Sequence, residues 1–176
     1  MRPVTLWLIM EILLVIANEF DKRLWAYPKV FCSILQKYGV FMYNGGMEGV
    51  AIFMAKARES LAGAESEFVN SRFNNCANRC YYACLQAARA ALEKAGLKPT
   101  EPRLAFGHGF IQAHFVGELI GRKKRYPAGL RDTLARLLML RQMADYEPEL
   151  LSQTVAERAL RRAEQFVSAV QEGVAH

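Results

Sequence analysis

The sequence lacks the short motifs through which many enzymes bind nucleotides, metals or acyl groups. It has no glycine-rich phosphate loop, no nucleophile elbow, no paired-cysteine metal motif and no stretch of strand-like alternation. The enzyme classes that depend on these motifs are therefore disfavoured. Proline is also scarce, at six among 176 residues, and the long Ala-, Leu-, Arg- and Glu-rich stretches favour helix.

Cysteine is scarce as well, and its spacing does not suggest disulfides. Three of the four cysteines are Cys76, Cys80 and Cys84, which lie one turn apart on one helix and cannot readily pair within it. This usage fits a reducing cytoplasm. Cys76 and Cys80 have a spacing that could hold a metal, but no histidine or cysteine pair nearby completes the site. We therefore predict buried thiols, with no metal and no cofactor.

The charge balance is mildly basic. Twenty-three Lys and Arg residues against seventeen Asp and Glu residues give a formal net charge of +6. This permits an anionic partner such as RNA without requiring one, because a solvated basic face is the commoner explanation. The length of 176 residues suits one domain with a proper core.

Residues 1–46 differ from the rest of the chain. Residues 4–17 are nearly all apolar, but Glu11 interrupts them, and a membrane span usually needs about 20 apolar residues. No small-residue cleavage site of a signal peptide follows. We interpret residues 1–46 as an extension of doubtful status, arising from an early start codon or forming a loose appendage. The alternative is a helix that anchors the protein to a membrane or docks a partner.

Downstream, residues 47–176 have helical periodicity throughout. Apolar residues at three- and four-residue steps predict helices at about 48–69, 75–95, 107–120 and 130–148, and a last helix opened by the capping-box spacing of Thr154 and Glu157. Gly96 predicts the end of the second helix. The expected fold is an all-α, up-and-down bundle of four to five helices. The predicted inward residues of the second helix are Ala77, Tyr81, Cys84, Ala88 and Ala91, and those of the last are Val155, Ala159, Ala163, Phe166 and Val170.

The fourth predicted helix ends in charged residues that continue its apolar stripe. Arg141 follows Leu138 by three residues, Asp145 follows Arg141 by four, and Tyr146 comes next. A guanidinium and a carboxylate at the end of a buried face are costly unless they are paired, hydrogen-bonded or open to a cleft. The end of this helix is therefore our candidate functional site, with a purely structural ion pair as the alternative.

Two further groups are candidates for binding RNA or a partner chain. One is a polar face of the second helix, and the other is the densest run of positive charge in the sequence. Each has a plain alternative, a solvated helix flank or a solvated loop. The residues are Arg79, Tyr82 and Arg89 on the helix, and Arg122, Lys123, Lys124 and Arg125 in the loop.

Four short motifs occur in an order that resembles the HEPN superfamily of helical-bundle proteins. They are the segments NRCYYA at 78–83, GHGF at 107–110, LRQMADY at 140–146 and AEQFV at 163–167. Each is weak alone, but together they are fairly specific, and the resemblance covers residues 47 to about 174. It implies a bundle that commonly dimerises and is often encoded beside a minimal nucleotidyltransferase in toxin–antitoxin or defence pairs.

Many HEPN proteins are metal-independent ribonucleases that use an arginine followed four to six residues later by a histidine. In this chain Tyr146 occupies the place after Arg141 where that histidine could stand. A tyrosine, with an ordinary pKa near 10, is a poor general base at neutral pH. The family resemblance therefore implies a catalytic position that lacks part of its usual chemistry.

We expect a cytoplasmic, dimeric HEPN-type protein, non-enzymatic or weakly active, that associates with RNA or a nucleotidyltransferase and does not bind a membrane. One alternative is an active ribonuclease, in which Arg141 stabilises the phosphorane with Asp145 beside it, and His108 or Tyr146 moves protons. A role for His108 would require the third helix to bring it beside Arg141. The other alternative is a purely structural oligomerisation module.

Overall fold

The computed structural model describes residues 47–99 and 106–175; our interpretations of residues 1–46 lie outside these ranges. Within them the chain is all helical, with no strand, which confirms the predicted fold class. None of these helices is long and apolar enough to cross a membrane. The helices are α1 (Met47–Val69), α2 (Phe73–Lys94), α3 (His108–His114), a π-helix (Phe115–Arg122), one 3₁₀ turn (Ala128–Leu130), α4 (Thr133–Tyr146) and α5 (Gln153–Ala175).

Helix α2 is the centre of the bundle and packs against α1, α4 and α5. The inward residues predicted for it are all buried. Most of them are alanine or cysteine, so neighbouring helices can approach α2 closely. The large Tyr81 ring among them is only 1% exposed.

The end of α2 is also as predicted. Gly96 has a φ of +69°, in the left-handed region that glycine adopts without strain. The Leu97 N–H donates to the Leu92 carbonyl at 2.9 Å, and the Gly96 N–H donates to the Glu93 carbonyl at 3.1 Å. This is the Schellman arrangement, which satisfies carbonyls that the helix end would otherwise leave unpaired.

The start of α5 differs from the prediction. The helix begins at Gln153, and the side-chain oxygen of Ser152 accepts a hydrogen bond from the Val155 N–H at 3.4 Å. Ser152 therefore caps the helix, and the predicted capping role of Thr154 is wrong. Val155 is only partly buried, whereas its neighbour Ala156 is buried. The buried face of α5 therefore includes positions beside the predicted stripe.

The third helix does not run on as a regular α-helix. After His114 it widens into a π-helix that ends at Arg122, and the Lys123 N–H donates to the Glu118 carbonyl at 2.8 Å, five residues back. The basic loop that follows is held by Tyr126, which is buried and stacks on Phe115 with 5.2 Å between ring centroids.

Candidate functional site

A polar cleft lies where the first half of α2 meets the end of α4 and of α1. Its volume is about 310 Å³. It brings together four of the candidate residues, Arg79, Tyr82, Arg141 and Asp145, which come from two helices 60 residues apart in sequence. The residues that line this cleft are Glu67, Asn75, Asn78, Arg79, Tyr82, Arg141 and Asp145.

Arg141 and Asp145 form an ion pair one turn apart on α4. Nε of Arg141 lies 2.9 Å from Oδ2 of Asp145, and each side chain is about one-quarter exposed. The Nε–H does not point along this contact, since it has no hydrogen-bond partner among the residues that the structure describes. Desolvation is the largest influence on the pKa of Arg141 and lowers it, but Asp145, Tyr82 and Tyr146 together outweigh desolvation, so that this pKa is raised. The guanidinium is therefore firmly cationic.

The other oxygen of Asp145 is held by α2. Nδ2 of Asn78 donates to Oδ1 of Asp145 at 2.7 Å. Sequence reasoning missed Asn78 as a site residue, because its partner lies 67 positions away. The only sequence signal was its place at the start of the segment at 78–83, next to Arg79.

A second asparagine, one turn earlier on α2, holds the backbone at the end of α4. Nδ2 of Asn74 donates to the Ala144 carbonyl at 3.1 Å, and its Oδ1 accepts from the Leu151 N–H at 2.9 Å. Asn74 thus binds both the last turn of α4 and the connection to α5. This fixes the backbone that carries Arg141 and Asp145 against α2.

Both aromatic candidates lie near Arg141. Tyr82 is half-buried and lines the cleft. Tyr146 is 74% exposed, and its ring centroid lies 5.8 Å from Cζ of Arg141. Tyr146 therefore contacts the guanidinium without lining the cleft itself.

His108 is not among the residues that line the cleft. Its Nδ1 lies 3.0 Å from the hydroxyl of Tyr81, and its ring meets Tyr82 edge-on at 6.3 Å. Burial raises the pKa of Tyr81 to about 12, so Tyr81 keeps its proton at neutral pH. The His108 ring is thus hydrogen-bonded to the buried Tyr81 and packs against Tyr82.

The remaining charges of the cleft differ in their partners. The carboxylate of Glu67 accepts hydrogen bonds from Arg72 and, at 3.3 Å, from Asn75, and the Arg72 bond is the main reason that its pKa is lowered. Arg79 is exposed and forms no ion pair with any residue in the described ranges. The cleft therefore contains two arginines and two carboxylates, with both carboxylates already engaged.

The other binding candidates lie away from the cleft. The guanidinium of Arg89 lies between the rings of Phe53 and Phe106, at 4.0 and 4.3 Å from their centroids, and 3.8 Å from a carboxylate oxygen of Glu93. In the basic loop, Arg122 pairs with Glu118 at 3.0 Å. Lys123, Lys124 and Arg125 are exposed in the same loop.

The three thiols of α2 are buried and free, as predicted. Cys80 has a pKa raised by its hydrogen bond with Cys76 and by burial, so it is protonated at neutral pH. In the described parts of the chain no group of three His, Cys, Asp or Glu side chains could hold a metal ion.

Comparison with known proteins adds two findings. The family model of the HEPN domain matches residues 50–173. A "putative toxin" of Methanocaldococcus jannaschii is 25% identical over 130 residues, which cover 72% of this chain and 90% of that protein. The residues matched by the family model include the helices that form the cleft.

Proposed function

The chain belongs to the HEPN family, and on that premise we propose that it is a dimeric, RNA-binding component of a toxin–antitoxin-like pair. The observation that carries the proposal is the polar cleft, in which Arg141 and Arg79 lie together. Arginine is well suited to phosphate because its planar guanidinium donates two parallel hydrogen bonds. Asp145 lies at Nε of Arg141 and Tyr146 also hydrogen-bonds to the guanidinium, so an RNA phosphate would take the terminal N–H donors that these two contacts leave.

We infer binding of RNA, and not cleavage, from the groups around Arg141. RNA cleavage by this family's usual chemistry needs a group that moves protons at the scissile phosphate. No histidine lines the described cleft, and His108 is hydrogen-bonded to Tyr81. Tyr146 is exposed beside Arg141 and is the remaining candidate, so a ribonuclease built on Arg141 and Tyr146 is the second function that the geometry favours.

The proposed partner in the pair is a minimal nucleotidyltransferase. Its support is family membership and the distant relation to a protein named as a putative toxin. The exposed basic loop at 122–125 offers a second surface for RNA phosphate or for that partner.

The proposed dimer rests on an apolar stripe along α4. Four large apolar side chains on and just beyond this helix are exposed, Met139 by 55%, Met143 by 41%, Tyr146 by 74% and Leu150 by 84%. Met139, Met143 and Tyr146, at steps of four and three residues, lie on one face of α4, and Leu150 follows beyond the end of the helix. Exposed apolar stripes of this kind are typical of interfaces.

Charge complementarity supports the proposal that a second copy occupies this stripe. The stripe has basic Arg136 near its start and acidic Glu147 just past its end. In an antiparallel, two-fold pairing, if residue i of one copy faces residue j of the other, then residue j of the first copy also faces residue i of the second. Met139 would then face Met143 of the partner, and Arg136 would face Glu147 of the partner, so that apolar meets apolar and opposite charges meet at both ends.

Incubation of the purified full chain with mixed cellular RNA tests the function. We expect RNA to be retained by the protein without becoming shorter, and retention to fall in Arg141→Ala. Shortening of the RNA that disappears in Arg141→Ala would instead establish the ribonuclease. Unchanged retention in Arg141→Ala, with no shortening of the RNA by the wild type, would overturn both functions.

A further inference from the structure

Asn78 occupies an unusual position at the polar cleft. Its amide nitrogen donates to Asp145 at 2.7 Å, while its amide oxygen is buried and has no hydrogen-bond partner among the described residues. A buried acceptor without a donor destabilises a fold. An apolar side chain of similar size would avoid this cost, so stability alone does not account for an asparagine here.

The hydrogen bond from Asn78 determines how Asp145 meets Arg141. With Oδ1 of Asp145 bound to α2, only Oδ2 remains to face the guanidinium, and it lies 2.9 Å from Nε. A carboxylate without this restraint could rotate and take both a terminal nitrogen and Nε in the bidentate geometry that arginine favours. Asn78 thereby prevents Asp145 from occupying the donors that a phosphate would use.

We propose that Asn78 is a positioning residue, which acts through Asp145 to hold the terminal nitrogens of Arg141 open to RNA phosphate. The inference rests on the proposed function, because it assigns to Asn78 the regulation of the same phosphate site. Arg141 contacts the phosphate, whereas Asn78, whose amide nitrogen is bonded to Asp145, acts by fixing the carboxylate.

A comparison of Asn78 with Asn74 distinguishes the positioning role from ordinary structural support. The two asparagines lie one turn apart on α2, but Asn74 binds backbone groups of Ala144 and Leu151, whereas Asn78 binds a side chain. Replacement of Asn74 should therefore lower stability first. Replacement of Asn78 should change the phosphate site while the backbone of α4 stays in place.

The test uses the full chain and a short single-stranded RNA with a fluorescent end label. Asn78→Leu keeps the size of the side chain and removes both its donor and its unpaired acceptor. We expect RNA affinity to fall about two- to tenfold, and the slope of log affinity against log salt to become shallower although no charge has been removed. The unfolding midpoint should stay close to that of the wild type, whereas Asn74→Ala should lower it. Asn78→Ala provides the same readouts if the leucine variant does not fold.

Coupling to Arg141 decides the outcome. In an Arg141→Ala background, Asn78→Leu should cause no further loss of affinity, because the group that it positions is absent. Equal losses in both backgrounds, or an unchanged salt slope, would overturn the positioning role while leaving the phosphate site intact. If Arg141→Ala itself has no effect on RNA affinity, the proposed function fails, and that result is distinguishable from failure of Asn78 alone.

Discussion

The hydroxyl of Tyr81 lies 3.0 Å from Nδ1 of His108, a hydrogen bond that joins the centre of α2 to the first residue of α3. Tyr81 is almost wholly buried, and this burial raises its pKa to about 12. The bond therefore depends on a phenol that stays protonated in the folded chain beyond the pH at which an unfolded tyrosine ionises.

The first prediction concerns alkaline pH. Because the folded pKa of Tyr81 lies above the ordinary value near 10, its contribution to stability is complete below pH 10 and is lost as pH rises toward 12. The whole loss amounts to about 2 to 3 kcal/mol. Urea unfolding between pH 8 and pH 12 should show a steeper fall for the wild type than for Tyr81→Phe. Parallel pH profiles of the two proteins would contradict this assignment.

The second prediction concerns the contact that holds the basic loop. A Cβ on Gly173 would lie 2.5 Å from Cε1 of Tyr126, and the Tyr126 ring is buried against Phe115. Gly173→Ala should therefore lower the free energy of unfolding by about 1 to 3 kcal/mol. Gly109→Ala is the matched control, because a Cβ there meets nothing within 4 Å. We expect its stability to be unchanged or higher. Equal thermal midpoints for the two variants would refute the steric argument.

The third prediction concerns the dimer. A carboxylate at Met143 would face the apolar stripe of a second copy, so Met143→Glu should shift the protein to a monomer in sedimentation velocity. Met47→Glu is the control, because Met47 is 76% exposed at the start of α1 and away from the stripe. Charge reversal gives a sharper test: Arg136→Glu should weaken the dimer, and adding Glu147→Arg should restore it. If all of these variants remain dimeric, the α4 stripe is not the dimer interface.

Local signals in the sequence were enough for much of the fold. The small inward residues of α2 repeat at helical spacing, and Gly96 marks its end because a left-handed residue is needed there. The position of Arg141 and Asp145 at a helix end followed in the same way, since an i, i+4 pair is a property of one helix. These features depend on neighbours a few residues apart.

Features that depend on distant pairing were not predictable. The bonds from Asn74 and Asn78 to α4 span about 70 residues, and an asparagine near a helix start ordinarily suggests only a cap. The hydrogen bond between His108 and Tyr81 was likewise not predicted, because helical spacing already assigned Tyr81 to the core. The π-helix after His114 was not predicted either, because a four-residue step between apolar residues fits an α-helix equally well.

The central claim is that Arg141 forms a phosphate site, and the salt dependence of RNA binding tests it most directly. The fluorescence anisotropy of a labelled single-stranded RNA is titrated at several salt concentrations with wild type, Arg141→Ala and Arg161→Ala. Arg161 is the matched control because it also pairs with a carboxylate four residues away, Glu157, but lies on α5 outside the polar cleft.

We predict that Arg141→Ala weakens binding and reduces the salt slope by about 0.7, the value for one phosphate contact on a single strand. Arg161→Ala should change the affinity much less. Equal affinities and equal slopes for the two variants would contradict a phosphate site at Arg141.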